Sequence, residues 1–217
     1  MIQCVNLNIS QGDFYLLDVN FKINKGDYAI LMGKTGCGKT TVMESICGLR
    51  QIKSGEIWLG DKEISNLMPA KREIGYVPQD GALFKNMTIA QNIGFALKIR
   101  KWDKQKINER ANELASNLGI NYLLQREAHD LSGGEKQRVA VARALSFYPE
   151  VICLDEPISA LDDSTKEDMI DLLKTLKENT DLTILHVTHS KAEAIKLGDK
   201  VFKFSNGQVE ELQLEEL

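Results

Sequence analysis

Long apolar runs are absent from this chain of 217 residues. No stretch approaches the roughly 18 to 20 apolar residues that a membrane-spanning helix needs. The N-terminus also has no apolar segment typical of a secretion signal. The sequence therefore predicts a soluble, intracellular protein, and any role at a membrane must come through a partner.

Cysteine is scarce, and neither sign of charge dominates. The four cysteines form no C-x-x-C pair and no metal-ligand spacing, which indicates small apolar side chains in a reducing compartment. The net charge of −4 argues against general affinity for polyanions. The basic stretch over residues 98–106 alternates with apolar residues and is typical of solvated helix faces. No nucleic-acid partner is expected.

Strand-like and helix-like patterns alternate over much of the chain. Strand patterns lie at 2–9, 14–23, 28–32, 56–59, 74–77, 151–154, 182–187, 200–204 and 208–212, the last two joined by Asn206-Gly207. Helical patterns lie at 40–49, 164–176 and 191–197. Such alternation predicts a largely parallel sheet covered on both faces. Residues 82–145 have helical periodicity instead, with Ile89, Ile93 and Leu97 on one stripe, and are predicted to form an insertion.

A glycine-rich segment fits G-x-x-x-x-G-K-[ST] and lies between a predicted strand and a predicted helix. In this arrangement backbone N–H groups and a helix N-terminus surround a polyphosphate. Lys39 supplies charge to the β- and γ-phosphates, and the Thr40 hydroxyl is a ligand for Mg²⁺. The predicted phosphate-binding residues are Gly33, Lys34, Thr35, Gly36, Cys37, Gly38, Lys39, Thr40 and Thr41.

A second motif precedes the apolar helix pattern at residues 139–145. Ser132 and Glu135 have the spacing of a capping box, which places Gly133 and Gly134 in the first helical turn. Glycine is a poor helix former, so its use there suits a helix start whose bare N–H groups face an anion. Alone, the motif would indicate only a capped helix with a loose first turn. It is followed, however, by an apolar strand pattern that ends in two carboxylates.

These motifs resemble those of the ATP-binding subunit of ABC transporters, and the resemblance covers essentially the whole chain. In chain order they are Walker A at 33–40, the Q-loop at Gln79, the signature at 131–135, Walker B at 151–155, Glu156, the D-loop at 159–162 and His189. The resemblance implies an α/β fold, with a RecA-like P-loop NTPase core, an N-terminal antiparallel β-subdomain and an inserted α-helical subdomain. It also implies one ABC ATPase domain over 1–217, with its core at 1–81 and 146–217, the helical subdomain at 82–145 and no C-terminal regulatory domain.

The resemblance further implies roles for individual residues. Two cassettes hold two ATP molecules head to tail, so that the signature of one chain meets the ATP on Walker A of the other. The implied catalytic residues are Glu156, His189, Gln79 and Lys39. The implied Mg²⁺ ligands are Thr40, Gln79 and Asp155. The residues implied to reach ATP across the interface are Ser132, Gly133, Gly134 and Asp162.

Two positions depart from the family pattern. Glu135 stands where glutamine is commonest, although the capping box makes the change acceptable. The aromatic side chain that usually stacks on adenine falls near Ser10 by ungapped counting. Phe14 or Tyr15 could replace it, and Tyr15 is favoured here.

Residues 69–79 and 82–84 look like the importer branch, closest to ATPases for uptake of molybdate and related oxyanions, sugars and polyamines. The implied partners are a second cassette, integral membrane permease subunits and an extracytoplasmic solute-binding protein, with the chain at the cytoplasmic face of the inner membrane. Leu83, Phe84 and Met87 either line the groove for the permease or pack under the helical subdomain. An exporter subunit or a soluble ABC ATPase remains an alternative. A P-loop kinase or GTPase is disfavoured because the signature has no role there.

Overall fold

The computed structural model describes residues 1–12, 14–205 and 208–216. Within these residues the strands are β1 (Ile2–Gln11), β2 (Phe14–Ile23), β3 (Tyr28–Met32), β4 (Ser54–Leu59), β5 (Lys62–Glu63), β6 (Ile74–Val77), β7 (Val151–Asp155), β8 (Thr183–Thr188), β9 (Lys200–Ser205) and β10 (Gln208–Leu212). The helices are α1 (Lys39–Cys47), α2 (Pro69–Arg72), α3 (Ile89–Ile99), α4 (Lys104–Asn117), α5 (Gly133–Leu145), α6 (Asp163–Glu178) and α7 (Lys191–Leu197).

The central sheet has six strands in the order β10-β9-β3-β8-β7-β6. All neighbouring pairs from β9 to β6 are parallel, and β10 pairs antiparallel with β9. Met32 pairs with Thr188, and Asp155 pairs with Val187, so β3, β8 and β7 end at the same level. The segments that follow these strands therefore meet at one edge, where open α/β sheets bind ligands.

A second sheet is antiparallel, with the strand order β2-β1-β4-β5. It packs with α1 against one face of the central sheet, while α3 to α7 cover the other face. Alternate residues of the central strands enter the two cores: Leu185 and Val187 face α1, and Ile184 faces the helical side. Burial on both faces explains why these strands are continuous apolar runs.

The predicted helical insertion contains α3, α4 and α5 between β6 and β7. Its predicted stripe is buried, since Ile89, Ile93 and Leu97 are all inaccessible to solvent. Thr88 caps α3 with a complete capping box to Gln91. The subdomain boundaries at 81/82 and 145/146 stay a prediction.

Several details differ from the sequence-based expectation. The first helix begins at Lys39, one residue earlier than predicted, and ends at Cys47 because Gly48 takes a left-handed conformation. The short β5 and α2 were not predicted. The predicted turn at Asn206-Gly207 lies outside the described residues. None of the helices in the described part of the chain is long and apolar enough to cross a membrane.

Candidate nucleotide site

The loop between β3 and α1 ends in an uncapped helix N-terminus. Gly38 is the N-cap residue, with φ 107°, and no side chain caps the first turn of α1. The first N–H groups of this helix therefore have no side-chain acceptor and are suited to an anion. The Lys39 side chain is buried and donates from Nζ to the carbonyl oxygens of Gly33 (2.9 Å) and Lys34 (3.0 Å). These bonds hold the ammonium group over the loop.

Packing requires glycine at position 33 of this loop, and the left-handed backbone favours it at position 38. A Cβ at Gly33 would lie 2.4 Å from the carbonyl oxygen of Phe204 on β9. A Cβ at Gly38 would lie 2.9 Å from side-chain atoms of both Leu16 and Phe14 on β2. The loop is thus pressed between the two sheets, which the motif alone did not indicate.

Thr40 and Asp155 form a pair of oxygen ligands beside the loop. The Thr40 hydroxyl donates to Asp155 Oδ1 at 3.0 Å, and Asp155 is 3% exposed. Burial raises the pKa of Asp155, the bond from Thr40 opposes that rise, and the neighbouring Glu156 adds to it. A cation at this position would favour the charged form.

The donor set fits Mg²⁺ in chemical character. Among the described residues no cluster of three His, Cys, Asp or Glu side chains could hold a metal ion. Mg²⁺ needs no such cluster, because it is commonly held by one or two carboxylates, water and the phosphates of the substrate. Thr40 and Asp155 supply the protein's oxygens, and Gln79, at the end of β6, is the third predicted ligand.

Glu156 and His189 meet at the ends of adjacent strands. Glu156 Oε2 lies 3.2 Å from His189 Nδ1, and the Glu156 N–H donates to the Val187 carbonyl of β8. The Glu156 side chain is 14% exposed, whereas that of His189 is 56% exposed. Glu156 adopts φ 45°, an uncommon conformation for a non-glycine residue that often marks a functional turn. The pair can hold and move a proton at the edge of the site.

Gln79 is exposed immediately after β6, and its backbone is tied to the helical insertion. Its carbonyl oxygen accepts a hydrogen bond from Gln137 Nε2 at 3.1 Å. Gln137 is buried on α5, the helix that begins at the signature. A single bond therefore joins the edge of the site to the signature helix.

The predicted capping box at the start of α5 is confirmed. Ser132 Oγ accepts from the Glu135 N–H at 3.3 Å, and Glu135 Oε2 accepts from the Ser132 N–H at 2.8 Å. The Tyr122 hydroxyl also donates to Glu135 Oε1 at 2.9 Å. Sequence reasoning missed Tyr122, since it lies in a separate turn and has no motif of its own.

The signature glycines lie against α6 and the loop before it. A Cβ at Gly133 would lie 3.2 Å from Leu161, and a Cβ at Gly134 would lie 2.4 Å from Thr165. Ser132 and Gly133 are exposed to solvent. The signature thus presents a capped helix start to the surface.

The structure assigns Asp162 to helix capping. Its Oδ1 accepts from the Thr165 N–H (3.0 Å) and the Ser164 hydroxyl (2.7 Å), and its Oδ2 accepts from the Thr165 hydroxyl (2.8 Å). These bonds lower the pKa of Asp162. The predicted contact of Asp162 with a nucleotide stays a prediction, and the structure adds that its carboxylate caps α6.

Tyr15 lies on the face of β2 opposite to that of Phe14 and Leu16, and its role as the adenine stacker stays a prediction. It is 62% exposed, whereas the side chains of its neighbours Phe14 and Leu16 reach Gly38. Successive side chains of a strand point to opposite faces, so the two aromatics cannot exchange places. Phe14, the alternative considered above, is the aromatic residue beside the phosphate loop.

One tetrapeptide has the letters of a guanine-recognition motif, Asn-Lys-x-Asp, at residues 24–27. It forms the turn that leads into β3, with the Asn24 N–H donating to Asp27 Oδ2 at 3.0 Å. The turn lies at the amino end of β3, whereas the phosphate loop follows its carboxyl end. It therefore takes no part in the site.

The parallel sheet with a glycine-rich loop leading into α1 defines a P-loop NTPase. The ABC transporter family profile matches residues 16–159. The chain belongs to the ABC transporter family and has the fold of its ATP-binding domain. The solved dimeric structure of a post-hydrolysis state of the ATP-binding cassette MJ0796, bound to ADP and Pi, has a TM-score of 0.87 and 30% identity, covering 99% of both chains. The predicted RecA-like fold with its β-subdomain and helical insertion is confirmed.

Curated relatives include several import proteins. The molybdate/tungstate import ATP-binding protein WtpC of Thermococcus kodakarensis is 45% identical over 91% of this chain and 60% of the relative. The spermidine/putrescine import ATP-binding protein PotA of Thermotoga maritima is 40% identical over 93% of this chain and 56% of the relative. The chain therefore spans less than two thirds of the length of these two relatives.

Proposed function

We propose that this chain binds and hydrolyses ATP in a dimer of cassettes, and that the dimer powers a separate membrane permease that imports a small oxyanion. The observation that carries the proposal is the convergence at one sheet edge of the uncapped α1 N-terminus, the Thr40–Asp155 pair and the Glu156–His189 pair. These groups bind a phosphate chain, hold its metal and activate water, which are the requirements of phosphoryl transfer to water.

ATP binding uses the loop and its surroundings. The N–H groups at the start of α1 and the Lys39 ammonium bind the phosphates, and Thr40, Asp155 and Gln79 would hold Mg²⁺. The Phe14 ring beside Gly38 is available for the adenine base. The metal, when bound, neutralises the charge that develops on the phosphates.

Hydrolysis uses the exposed edge of the site. Glu156 accepts the proton of the attacking water. His189, which contacts Glu156, orients that water and the γ-phosphate. General bases of this kind contribute about 10²- to 10⁴-fold to a rate.

Dimerisation completes the site, since Ser132 and Gly133 form an exposed helix N-terminus suited to the γ-phosphate of a second chain. The MJ0796 cassette is dimeric in its solved post-hydrolysis state, which supports the same assembly here.

The transport role rests on the relatives. WtpC is named for molybdate and tungstate import, which supports an oxyanion as the cargo and a membrane permease as a partner. An extracytoplasmic solute-binding protein is the further partner that this proposal includes. The chain would then lie at the cytoplasmic face of the inner membrane. Phe84 is 41% exposed beside Phe95, with ring centroids 4.4 Å apart, and offers an apolar contact for the permease. Leu83 packs against the core instead.

The experiment combines affinity purification with mass spectrometry. Tagged Glu156→Gln protein is purified with MgATP from mildly solubilised native membranes. A polytopic membrane protein recovered together with an extracytoplasmic binding protein supports the importer. A membrane protein without a binding protein favours an exporter, and soluble partners alone contradict a transport role.

The matched control is the same purification with the Lys39→Ala variant, which removes the phosphate contact and leaves the Phe84 surface unchanged. Partners that depend on the ATP-bound dimer should be lost from the control. A separate phosphate-release assay on the unmodified chain tests hydrolysis itself, and a rate no higher than that of Glu156→Gln would contradict ATPase activity.

A further inference from the structure

We propose that Glu193 and Thr188 form a buried clamp that positions His189 in front of Glu156, so that both are positioning residues for hydrolysis. This inference rests on the proposed function. The clamp is a hydrogen-bonded cluster between the end of β8 and the start of α7, and it lies outside the motifs described above.

The clamp holds the backbone on both sides of His189. On one side, the Thr188 hydroxyl donates to Glu193 Oε2 at 2.6 Å. On the other side, the Ser190 N–H donates to Thr188 Oγ1 at 3.1 Å. Ser190 also caps α7, since its hydroxyl accepts from the Glu193 N–H at 3.3 Å. The residues before and after His189 are thus tied to the same carboxylate.

This arrangement differs from an ordinary capping box. In the ordinary form, the side chain of the fourth residue accepts directly from the N-cap N–H. Here the Thr188 hydroxyl lies between them, accepting from Ser190 and donating to Glu193. A cap alone would not need Thr188, so the inserted hydroxyl is what connects the helix start to the end of β8.

The cluster is buried, which makes its geometry costly to change. Thr188 is 2% exposed, Glu193 is 8% exposed and His186 is fully buried. An unpaired polar group at this depth loses its hydration without compensation. The observed arrangement is therefore strongly preferred over rotamers that release Thr188.

His186 and Tyr28 support the carboxylate from the core. The Tyr28 hydroxyl lies 2.9 Å from His186 Nδ1, and His186 Nε2 lies 3.4 Å from Glu193 Oε2. That second distance is longer than a well-formed hydrogen bond, and His186 Nε2 has no closer partner among the described residues. Burial acts to raise the pKa of Glu193, but His186 and the Thr188 hydroxyl outweigh it and the pKa is lowered. Glu193 is thus charged and accepts the Thr188 hydrogen bond.

The test compares four single variants of the full chain, with His189→Ala as the background for one of them. Thr188→Val removes the hydroxyl at nearly constant volume, and Thr188→Ser restores it. Glu193→Gln removes the charge. Thr183→Val is the matched control, since the Thr183 hydroxyl accepts from the Gly26 N–H at 3.0 Å at the buried, opposite end of β8.

The first readout is steady-state hydrolysis. We expect Thr188→Val and Glu193→Gln to lower kcat by about 10- to 100-fold, the scale of a misplaced catalytic group, with little change in KM. Thr188→Ser should restore most of the rate, and Thr183→Val should keep it. In a His189→Ala background, Glu193→Gln should cause little further loss. Additive losses in that background, or a normal kcat for Thr188→Val, would overturn the clamp.

The second readout does not depend on hydrolysis. The chain has three histidines, so their imidazole signals can be assigned by substitution in ¹H–¹⁵N spectra. Glu193→Gln and Thr188→Val should shift or broaden the His189 signals and leave exposed His129 unchanged. An unmodified chain without ATPase activity would contradict the proposed function, whereas unchanged His189 signals in both variants would contradict the clamp.

Discussion

The phosphate loop and the signature are both glycine-rich helix starts, yet they are built differently. The start of α1 has no side-chain cap and no acidic residue in its first turn. The start of α5 has a complete capping box and an acidic residue, Glu135, in its first turn. The first therefore leaves its positive end to a ligand, while the second already holds a carboxylate of its own.

The two helix starts also differ in the residues that surround them. The loop before α1 packs against β2 and β9, and Lys39 at the start of α1 is buried, although residues 34–36 are exposed. Ser132 and Gly133 at the start of α5 are exposed. An uncapped start with a buried lysine can bind an anion by itself, whereas a capped start with its own carboxylate is suited to weaker contact with an anion that another molecule brings. The phosphate loop is therefore suited to binding the nucleotide on its own, and the signature is suited to reversible contact with a nucleotide held by a second chain.

The largest expected effect is a loss of hydrolysis that leaves nucleotide binding at the loop and contact at the signature intact. Glu156→Gln removes the base but leaves the loop and the signature intact, so we expect kcat to fall by about 10²- to 10⁴-fold. ATP affinity should be retained, and the protein should become dimeric with MgATP. Phosphate release and light scattering measure the two effects, with ADP as the control. A variant that stays monomeric and active would show that Glu156 is not the base.

The next largest effect tests whether the signature serves dimerisation while the loop serves nucleotide binding. Ser132→Arg places a bulky side chain on the exposed helix start, so turnover and dimerisation should be lost while nucleotide binding at the loop remains. Lys39→Ala should instead weaken ATP binding at the loop and leave the signature intact. Fluorescent-nucleotide titration and phosphate release distinguish the two variants.

Mixing these two inactive variants provides a stricter check. Half of the randomly assorted dimers would contain one intact loop facing one intact signature, so about a quarter of the normal rate should return if the sites act independently. No recovery, with mixed dimers present, would contradict a site shared between chains.

A smaller effect, on ATP affinity, is expected from the Phe14 ring beside the loop. Phe14→Ala should weaken ATP binding by about tenfold, because base stacking on an aromatic ring is worth about 1 to 3 kcal/mol. Tyr15→Ala is the matched control on the opposite face of β2 and should leave the affinity unchanged. Isothermal titration with ATP measures both, and the reverse order would restore Tyr15 as the stacking residue.

The sequence predicted the features that depend on local order along the chain. The phosphate loop, the Ser132–Glu135 capping box and the strand ending at Asp155 each occupy a short segment, so spacing alone defines their geometry. The choice between Phe14 and Tyr15 could not be made from the sequence, although Tyr15 was favoured, because it depends on which face of β2 meets α1.

The features that the sequence analysis missed depend on contacts that no motif describes. Tyr122 reaches Glu135 across thirteen residues, and Tyr28 reaches His186 across 158. The cap that Asp162 provides for α6 was also missed, because it depends on Ser164 and Thr165 bonding to both carboxylate oxygens.

The smallest effect concerns the carboxylate of Glu135 in the first turn of α5. The Ser132 N–H lowers the pKa of Glu135, so this carboxylate is ionised at neutral pH beside the signature glycines. Glu135→Gln keeps an amide oxygen for the cap and removes the charge. We expect the MgATP dimer of the Glu156→Gln background to tighten by about two- to fivefold per site, the scale of one charge at a helix terminus.

Ionic strength separates this charge effect from a packing effect. The gain should shrink as salt is raised to about 1 M, where screening acts over about 3 Å. Tyr122→Phe is the control, because it removes a bond to Glu135 and keeps the charge, so it should leave the salt dependence of dimerisation unchanged. Dimer dissociation constants from sedimentation decide the matter. A gain that persists at high salt would mean that Glu135 acts through the geometry of the cap, and the signature would then differ from the phosphate loop in shape rather than in charge.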